Sequence, residues 1–211
     1  MKKLLLIIIA LLAFAGGGVQ ALAETTTVTA SKVTSSSASW TGSANETWTV
    51  SVDGGATNQN VTSDYAQIGT KNSPSTSVTF STSGISGTIT SIVVNCASYN
   101  GVATLSATVD GSAFGTQNQS TPSWSNNTGG NVTFSGSASG AIVITMTNGT
   151  GGRAMYIKNI TVTYTAAPSY TITPATNDAD MGTVSLSGSV ITATPATGYR
   201  VSTTNPYTVT S

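Results

Sequence analysis

Residues Arg153 to Tyr164 read RAMYIKNITVTY, a strand-like run in which the parity of the apolar positions slips partway along. Met155 and Ile157 are odd, while Ile160, Val162 and Tyr164 are even. Successive side chains of a strand point to opposite faces, so a regular strand cannot bury both sets on one side. The slip predicts a β-bulge near Lys158-Asn159, where one extra residue returns the second set to the inward direction. The alternative reading has Tyr156 facing the core and Lys158 snorkelling at an edge.

Outward from this run, period-two alternation recurs through the preceding hundred residues. Trp48, Val50 and Val52 share one face, as do Val78 and Phe80, Val132 and Phe134, and Ile142, Ile144 and Met146. Ala103, Leu105, Ala107 and Val109 form another set, with Thr or Ser between most of these positions. Each reads as a strand with one buried face. Turn signals separate them at Asp53-Gly54-Gly55, Asn100-Gly101, Asp110-Gly111, Gly129-Gly130, Ser139-Gly140 and Asn148-Gly149. Such pairs supply the positive φ angles of tight hairpins. The pattern predicts an all-β fold, an antiparallel β-sandwich of jelly-roll type, without amphipathic helices after residue 24. Trp48 and Phe80 belong to its core.

Lys2 and Lys3 precede the apolar run Leu4 to Ala15, 12 residues long, followed by small residues ending Ala21-Leu22-Ala23. This is the layout of a secretory signal peptide, and the run is shorter than the roughly 18 to 20 residues of a membrane span. The alternative is a retained anchor. Cleavage after Ala23 leaves 188 of the 211 residues (211 minus 23), with no further run able to span a membrane. The expected organisation is signal peptide 1–23, sandwich 24–165, linker 166–169 around Ala166-Ala167-Pro168, and a partial β-repeat module 170–211. The last segment contains a hairpin around Ser187-Gly188-Ser189. It runs out at PYTVTS within a strand-like pattern, so the chain is expected to be the front of a longer secreted protein.

Charge excludes one class of partner. After cleavage five basic residues (Lys32, Lys71, Arg153, Lys158, Arg200) face seven acidic ones, a net of about −2, whereas nucleic-acid capture needs a basic footprint. Only 7% of the chain is charged, while 69 of the 211 residues are Ser or Thr, so hydroxyls replace charges on the surface. Threonine is both β-branched and polar, which suits a half-exposed pleated face. The lone Cys96 cannot form an internal disulfide; in the run Ile92-Val93-Val94-Asn95-Cys96 it reads as a buried structural thiol.

Histidine is absent, which removes histidine-based triads and histidine metal sites. The carboxylates Glu46, Asp53, Asp64, Asp110, Asp178 and Asp180 are scattered, and nothing marks a catalytic pair. The expectation is therefore no catalytic residue, no metal site and no cofactor, with a structural calcium at Asn177-Asp178-Ala179-Asp180 or the Asp-Gly turns as a weak option. Turn formation explains Asp beside Gly equally well. Seven Asn-x-Ser/Thr sequons occur, against about five expected by chance at this Ser/Thr content, so they carry no information about glycosylation.

The aromatic residues carry what functional signal there is. Trp124 lies in Thr121-Pro122-Ser123-Trp124-Ser125-Asn126-Asn127, a polar loop with no apolar partner at two-residue spacing. An exposed ring among polar neighbours stacks on sugar faces; the competing reading is a Trp folded back as a lid over the sandwich end. Tyr65, Tyr99 and Arg153 are the other ligand-binding candidates, placed at loop edges.

The block SVTFSTSGISGTITSIVVNCASYNGVATLSATVDGSAFG, through GRAMYIKNITVTY, resembles an accessory β-sandwich module of secreted Bacteroidota proteins over roughly residues 25 to 165. The resemblance implies a galactose-binding-like jelly roll, often placed ahead of other extracellular domains, secreted nucleases included. The tail TPATNDADMGTVSLSGSVITATPATGYRV is similar to repeats of bacterial surface proteins of the internalin B-repeat kind. Together these readings describe a secreted or cell-surface, monomeric, non-catalytic module that binds glycan or surface polymer. The alternative is a structural spacer or adhesin segment ahead of a secreted nuclease or hydrolase.

Overall fold

The computed structural model describes residues 3–5, 7–9, 22–33, 36–54, 61–62, 64–167, 179–187, 190–201 and 207–209. These divide into two compact units, Ala21–Ala167 and a second made of Met1–Gln20 with Pro168–Ser211. In chain order the strands are Lys3–Leu5 (β1), Ile7–Ile9 (β2), Ala23–Thr29 (β3), Ser37–Thr41 (β4), Thr47–Asp53 (β5), Val61–Thr62 (β6), Tyr65–Ile68 (β7), Ser77–Thr82 (β8), Gly87–Ser98 (β9) and Thr104–Val109 (β10). They continue with Ser112–Ala113 (β11), Gln119–Ser120 (β12), Gly130–Ala138 (β13), Ile142–Thr147 (β14), Met155–Ala166 (β15), Gly182–Ser187 (β16), Val190–Pro195 (β17), Tyr199–Val201 (β18) and Tyr207–Val209 (β19).

The larger unit is an antiparallel β-sandwich. One sheet runs β11-β10-β14-β8-β5-β4, with β12 also on β10; the other runs β13-β9-β15-β7-β6, with β3 also on β15. From β8 to β15 the long strands alternate between the sheets, the crossing connection of a jelly roll. Helical structure among the described residues is limited to the three-residue 3₁₀ turns Tyr99–Gly101 and Ala179–Met181. No helix there is long and apolar enough to cross a membrane.

The alternation read from the sequence is the alternation that packs. Trp48, Val50 and Phe80, with Leu105, Ile142, Ile144 and Met146, fill the core from the first sheet. Ile92, Val94, Cys96, Phe134, Met155, Ile157, Ile160 and Val162 meet them from the second. Each large apolar side chain taken from water contributes about 1.5–3 kcal/mol, which is how a chain without disulfides holds together. The outer face of the first sheet is a ladder of hydroxyls in register, Ser39 beside Thr49 beside Ser81, and Ser51 beside Thr79 beside Thr145 beside Ser106. Here hydroxyls stand where most proteins place charge.

The bulge lies where the parity slip places it. In the pairing of β15 with β9, Ile157 sits opposite Cys96 and Asn159 opposite Asn95, leaving Lys158 as the extra residue. Met155, Ile157, Ile160 and Val162 are all fully buried as a result. The same point divides the other edge of β15, where Met155–Ile157 pair with β7 and Asn159–Thr165 pair with β3. The Lys158 carbonyl accepts from the Ala30 amide at 2.9 Å, so the bulged residue still has a backbone partner. The alternative with Tyr156 in the core is overturned: Tyr156 is half-buried, with its side chain on the outer face.

Two turn assignments need correction. Asn100-Gly101 (φ 59° and 64°) and Asp110-Gly111 (φ 50° and 73°) take the expected left-handed backbone. Gly129-Gly130 and Asn148-Gly149 do not. Gly129 is needed for close approach instead, because a Cβ there would collide with the Cys96 carbonyl. A two-residue turn absent from the sequence reading forms at Asn126-Asn127 (φ 52° and 59°), where Ser125 and Thr128 exchange backbone hydrogen bonds.

In the second unit, β16 and β17 pair as a hairpin with Ser187 opposite Val190; its tip, Gly188-Ser189, lies outside the described residues. Parallel pairings join β1 to β18 and β2 to β19. Most of the expected signal segment, the linker residues Pro168 and Ser169, and Asn177-Asp178 of the weak calcium option also lie outside the described residues.

Candidate functional site

The outer face of the second sheet carries the aromatic residues. On β15, Tyr156 lies opposite Gln67 of β7 and Ala97 of β9, and the segment between β12 and β13 folds over this patch. Buried hydroxyls fix the segment at its root. Ser98 Oγ and Thr121 Oγ1 are 2.7 Å apart, Thr121 Oγ1 donates to the Ala103 carbonyl at 3.0 Å, and the Ala103 amide donates to Ser98 Oγ at 3.0 Å. Backbone bonds extend the attachment, from the Ser98 amide to the Pro122 carbonyl (3.0 Å) and from the Trp124 amide to the Ser98 carbonyl (2.9 Å). The Asn126-Asn127 turn then reverses the chain. The arm returns through Gly129, whose amide donates to the Tyr65 hydroxyl at 3.0 Å.

This arm lays Trp124 on the sheet. Its ring stacks on Tyr156 with centroids 3.9 Å apart and planes 8° from parallel, and meets Tyr65 edge-on at 4.9 Å and 74°. Aromatic pairs in these geometries contribute about 0.5–1.5 kcal/mol beyond the area they bury. Trp124 is therefore half-buried rather than the exposed ring expected of its polar loop. Its partners lie 59 residues before it and 32 after it, outside any local pattern.

Tyr65 is placed differently from the sequence expectation. It opens β7 directly after the turn at Asp64, as a loop-edge residue, but it is 3% exposed and its hydroxyl is fully engaged. It donates to Asn95 Oδ1 at 2.6 Å while accepting from Gly129, and Asn95 Nδ2 in turn donates to Asn131 Oδ1 at 2.7 Å. Tyr65 thus supports the platform from beneath. Lys158, the bulged residue, places its ammonium 5.7 Å from the Tyr65 ring centroid and 3.7 Å from Asp64. Tyr99 and Arg153 pair with each other, the guanidinium carbon lying 4.1 Å from the Tyr99 ring centroid. Both are half-buried, at the strand ends where the Tyr99 amide bonds the Ala154 carbonyl at 2.9 Å.

Tyr156 is the residue that sequence reading left out of the site. The available signal was the bulge itself: with Met155 and Ile157 inward, Tyr156 must point out. Burial raises its phenol above the usual tyrosine range, so it remains a neutral hydroxyl at physiological pH.

Other polar groups have structural explanations. Glu46, 5% exposed, accepts from Thr26 Oγ1 (2.6 Å), Trp48 Nε1 (3.2 Å) and the Ala44 amide (3.1 Å), which ties down the loop before β5. Cys96 is fully buried, and that burial pushes its thiol up to about 12, far from a reactive thiolate. A shallow groove of about 360 Å³ lies on the first sheet, lined by residues such as Thr47, Thr49, Ser81 and Val143. It offers hydroxyls without an aromatic or charged group to orient a ligand, so the aromatic platform is the stronger candidate. Among the described residues no group of three or more Cys, Asp or Glu side chains is arranged to hold a metal ion.

No family model matches the chain, and no curated protein sequence does. Among solved structures, the chain is similar to a family two carbohydrate esterase from Cellvibrio japonicus, at 15% identity and a TM-score of 0.34. The alignment covers 70% of this chain and 37% of that one, so the chain spans well under half of that protein's length. At this level the likeness carries no functional inference, and the fold rests on the strand pairing described above.

Proposed function

We propose that the sandwich unit is a secreted, non-catalytic module that binds glycan or cell-surface polysaccharide on the platform formed by Trp124 and Tyr156. The observation that carries this reading is the stacked pair itself, held half-buried on a sheet face by the arm between β12 and β13. Flat aromatic surfaces bind the apolar faces of sugar rings, while nearby hydroxyl and amide groups satisfy the ring substituents. Preorganisation adds to this, since a ring already locked by Tyr65, Ser98 and Thr121 loses little freedom on binding. Secretion is proposed from the basic and apolar segment at the start of the chain.

The test is a polysaccharide array probed with the purified chain and with Trp124→Ala. Binding by the parent that is lost in the variant supports the proposal. Absence of binding to every polysaccharide overturns it and leaves the spacer reading, in which the same unit only positions a neighbouring domain.

A further inference from the structure

We infer that the platform selects anionic glycans, with Arg153 as the residue that reads a carboxylate or sulfate group on the sugar chain; this rests on the glycan reading of the same site. Charge is scarce here. Between residues 24 and 167 there are four basic side chains (Lys32, Lys71, Arg153, Lys158) and five acidic ones (Glu24, Glu46, Asp53, Asp64, Asp110). Two of the four cations lie over tyrosine rings, Lys158 over Tyr65 and Arg153 over Tyr99.

They differ in how their charge is answered. Lys158 lies 3.7 Å from the Asp64 carboxylate. Arg153 makes no ion pair among the described residues, and its neighbour is the neutral Tyr99 ring. A guanidinium stacked on a ring keeps its in-plane N–H fork for a carboxylate or sulfate, and such charge-assisted pairs are the stronger class of hydrogen bond.

The Arg153–Tyr99 pair lies just past the paired ends of β15 and β9, next to the platform. Tyr156 lies opposite Ala97, Trp124 hangs from the Ser98 carbonyl, and Tyr99 follows directly and bonds Ala154. Tyr99 is two residues beyond Ala97, at most about 7 Å of chain, which puts Arg153 within reach of an oligosaccharide lying on the Trp124 stack. With no general basic field on the unit, the preference is a local one, set by a single side chain.

The experiment uses matched pairs that differ in charge alone: polygalacturonate against its methyl ester for carboxylate, and a sulfated galactan against its desulfated form for sulfate. Each is titrated into the full chain and into Trp124→Ala, Arg153→Gln and Arg153→Lys, with near-ultraviolet circular dichroism reporting that each variant is folded. The expected result is about tenfold tighter binding of at least one charged member, a preference that shrinks as salt rises. Arg153→Gln should bind both members of that pair equally, Arg153→Lys should keep part of the preference, and Trp124→Ala should lose both. The pair that shows the preference identifies carboxylate or sulfate as the anion. Equal binding of charged and neutral members by the parent, or a preference that survives in Arg153→Gln, overturns the inference. If charged and neutral members bind equally and Trp124→Ala abolishes that binding, the glycan reading stands while this one falls. If neither pair binds, this inference falls, and the polysaccharide array decides the glycan reading.

Discussion

Deleting Lys158 tests the link from sequence parity to the binding surface. With the bulge removed, β15 becomes a regular strand and one of its halves must turn over. The second half buries Ile160, Val162 and most of Tyr164 and pairs with β3 over seven residues, against three for the first half with β7, so the first half yields. Met155 and Ile157 would then leave the core. At about 1.5–3 kcal/mol for each buried side chain, the loss is about 3–6 kcal/mol, a large share of the 5–15 kcal/mol that a domain of this kind typically has. The same flip turns Tyr156 inward and strips the support from Trp124. Lys158→Ala is the control, because it keeps the extra residue. It removes an ion pair to the exposed Asp64, a contact worth at most about 1 kcal/mol. Urea denaturation followed by tryptophan fluorescence measures both. A deletion variant within about 1 kcal/mol of the parent would refute the reasoning, as would a deletion variant that still binds glycan.

Cys96 should make the fold sensitive to alkali. Its thiol is raised from 9.0 to about 12 by burial, so its contribution to stability is complete below about pH 9 and is lost as pH rises through about 12. The urea midpoint of the parent should therefore fall faster than that of Cys96→Ala above pH 9, and parallel curves would contradict this. Gly129→Ala should lift the arm off the sheet, because the added Cβ collides with the Cys96 carbonyl. We expect a loss of about 1–3 kcal/mol in urea denaturation together with increased acrylamide quenching of Trp124.

Much of the fold was legible in the sequence, because a half-buried sheet writes itself as period two and a bulge as a break in that period. The same logic applied to Ile89 and Ile92 would have revealed the second irregularity, where Thr90 is the extra residue of β9 against Thr163 and Tyr164. The site was less legible. The sequence offers Trp124, Tyr99 and Arg153 as separate loop residues, and it takes the pairing of β9 with β15, with the backbone bonds from Trp124 to Ser98 and from Tyr99 to Ala154, to bring them to one sheet end. Tyr65 reads in the sequence as a loop-edge ligand candidate, yet its hydroxyl is consumed by Asn95 and Gly129, contacts made 30 and 64 residues away. The anchor at Ser98 and Thr121 was equally hidden, since in a chain one-third Ser and Thr no single hydroxyl stands out.

The most direct test of the platform uses the contrast among the three tryptophans. Trp40 and Trp48 are 3% and 1% exposed, whereas Trp124 is half-buried and still open to solvent on part of its surface, so acrylamide quenching in the folded protein reports mainly Trp124. Titration with the polysaccharide that binds best on the array should reduce that quenching in the parent and leave Trp124→Ala unchanged. Saturable binding that leaves Trp124 as accessible as before would contradict the account.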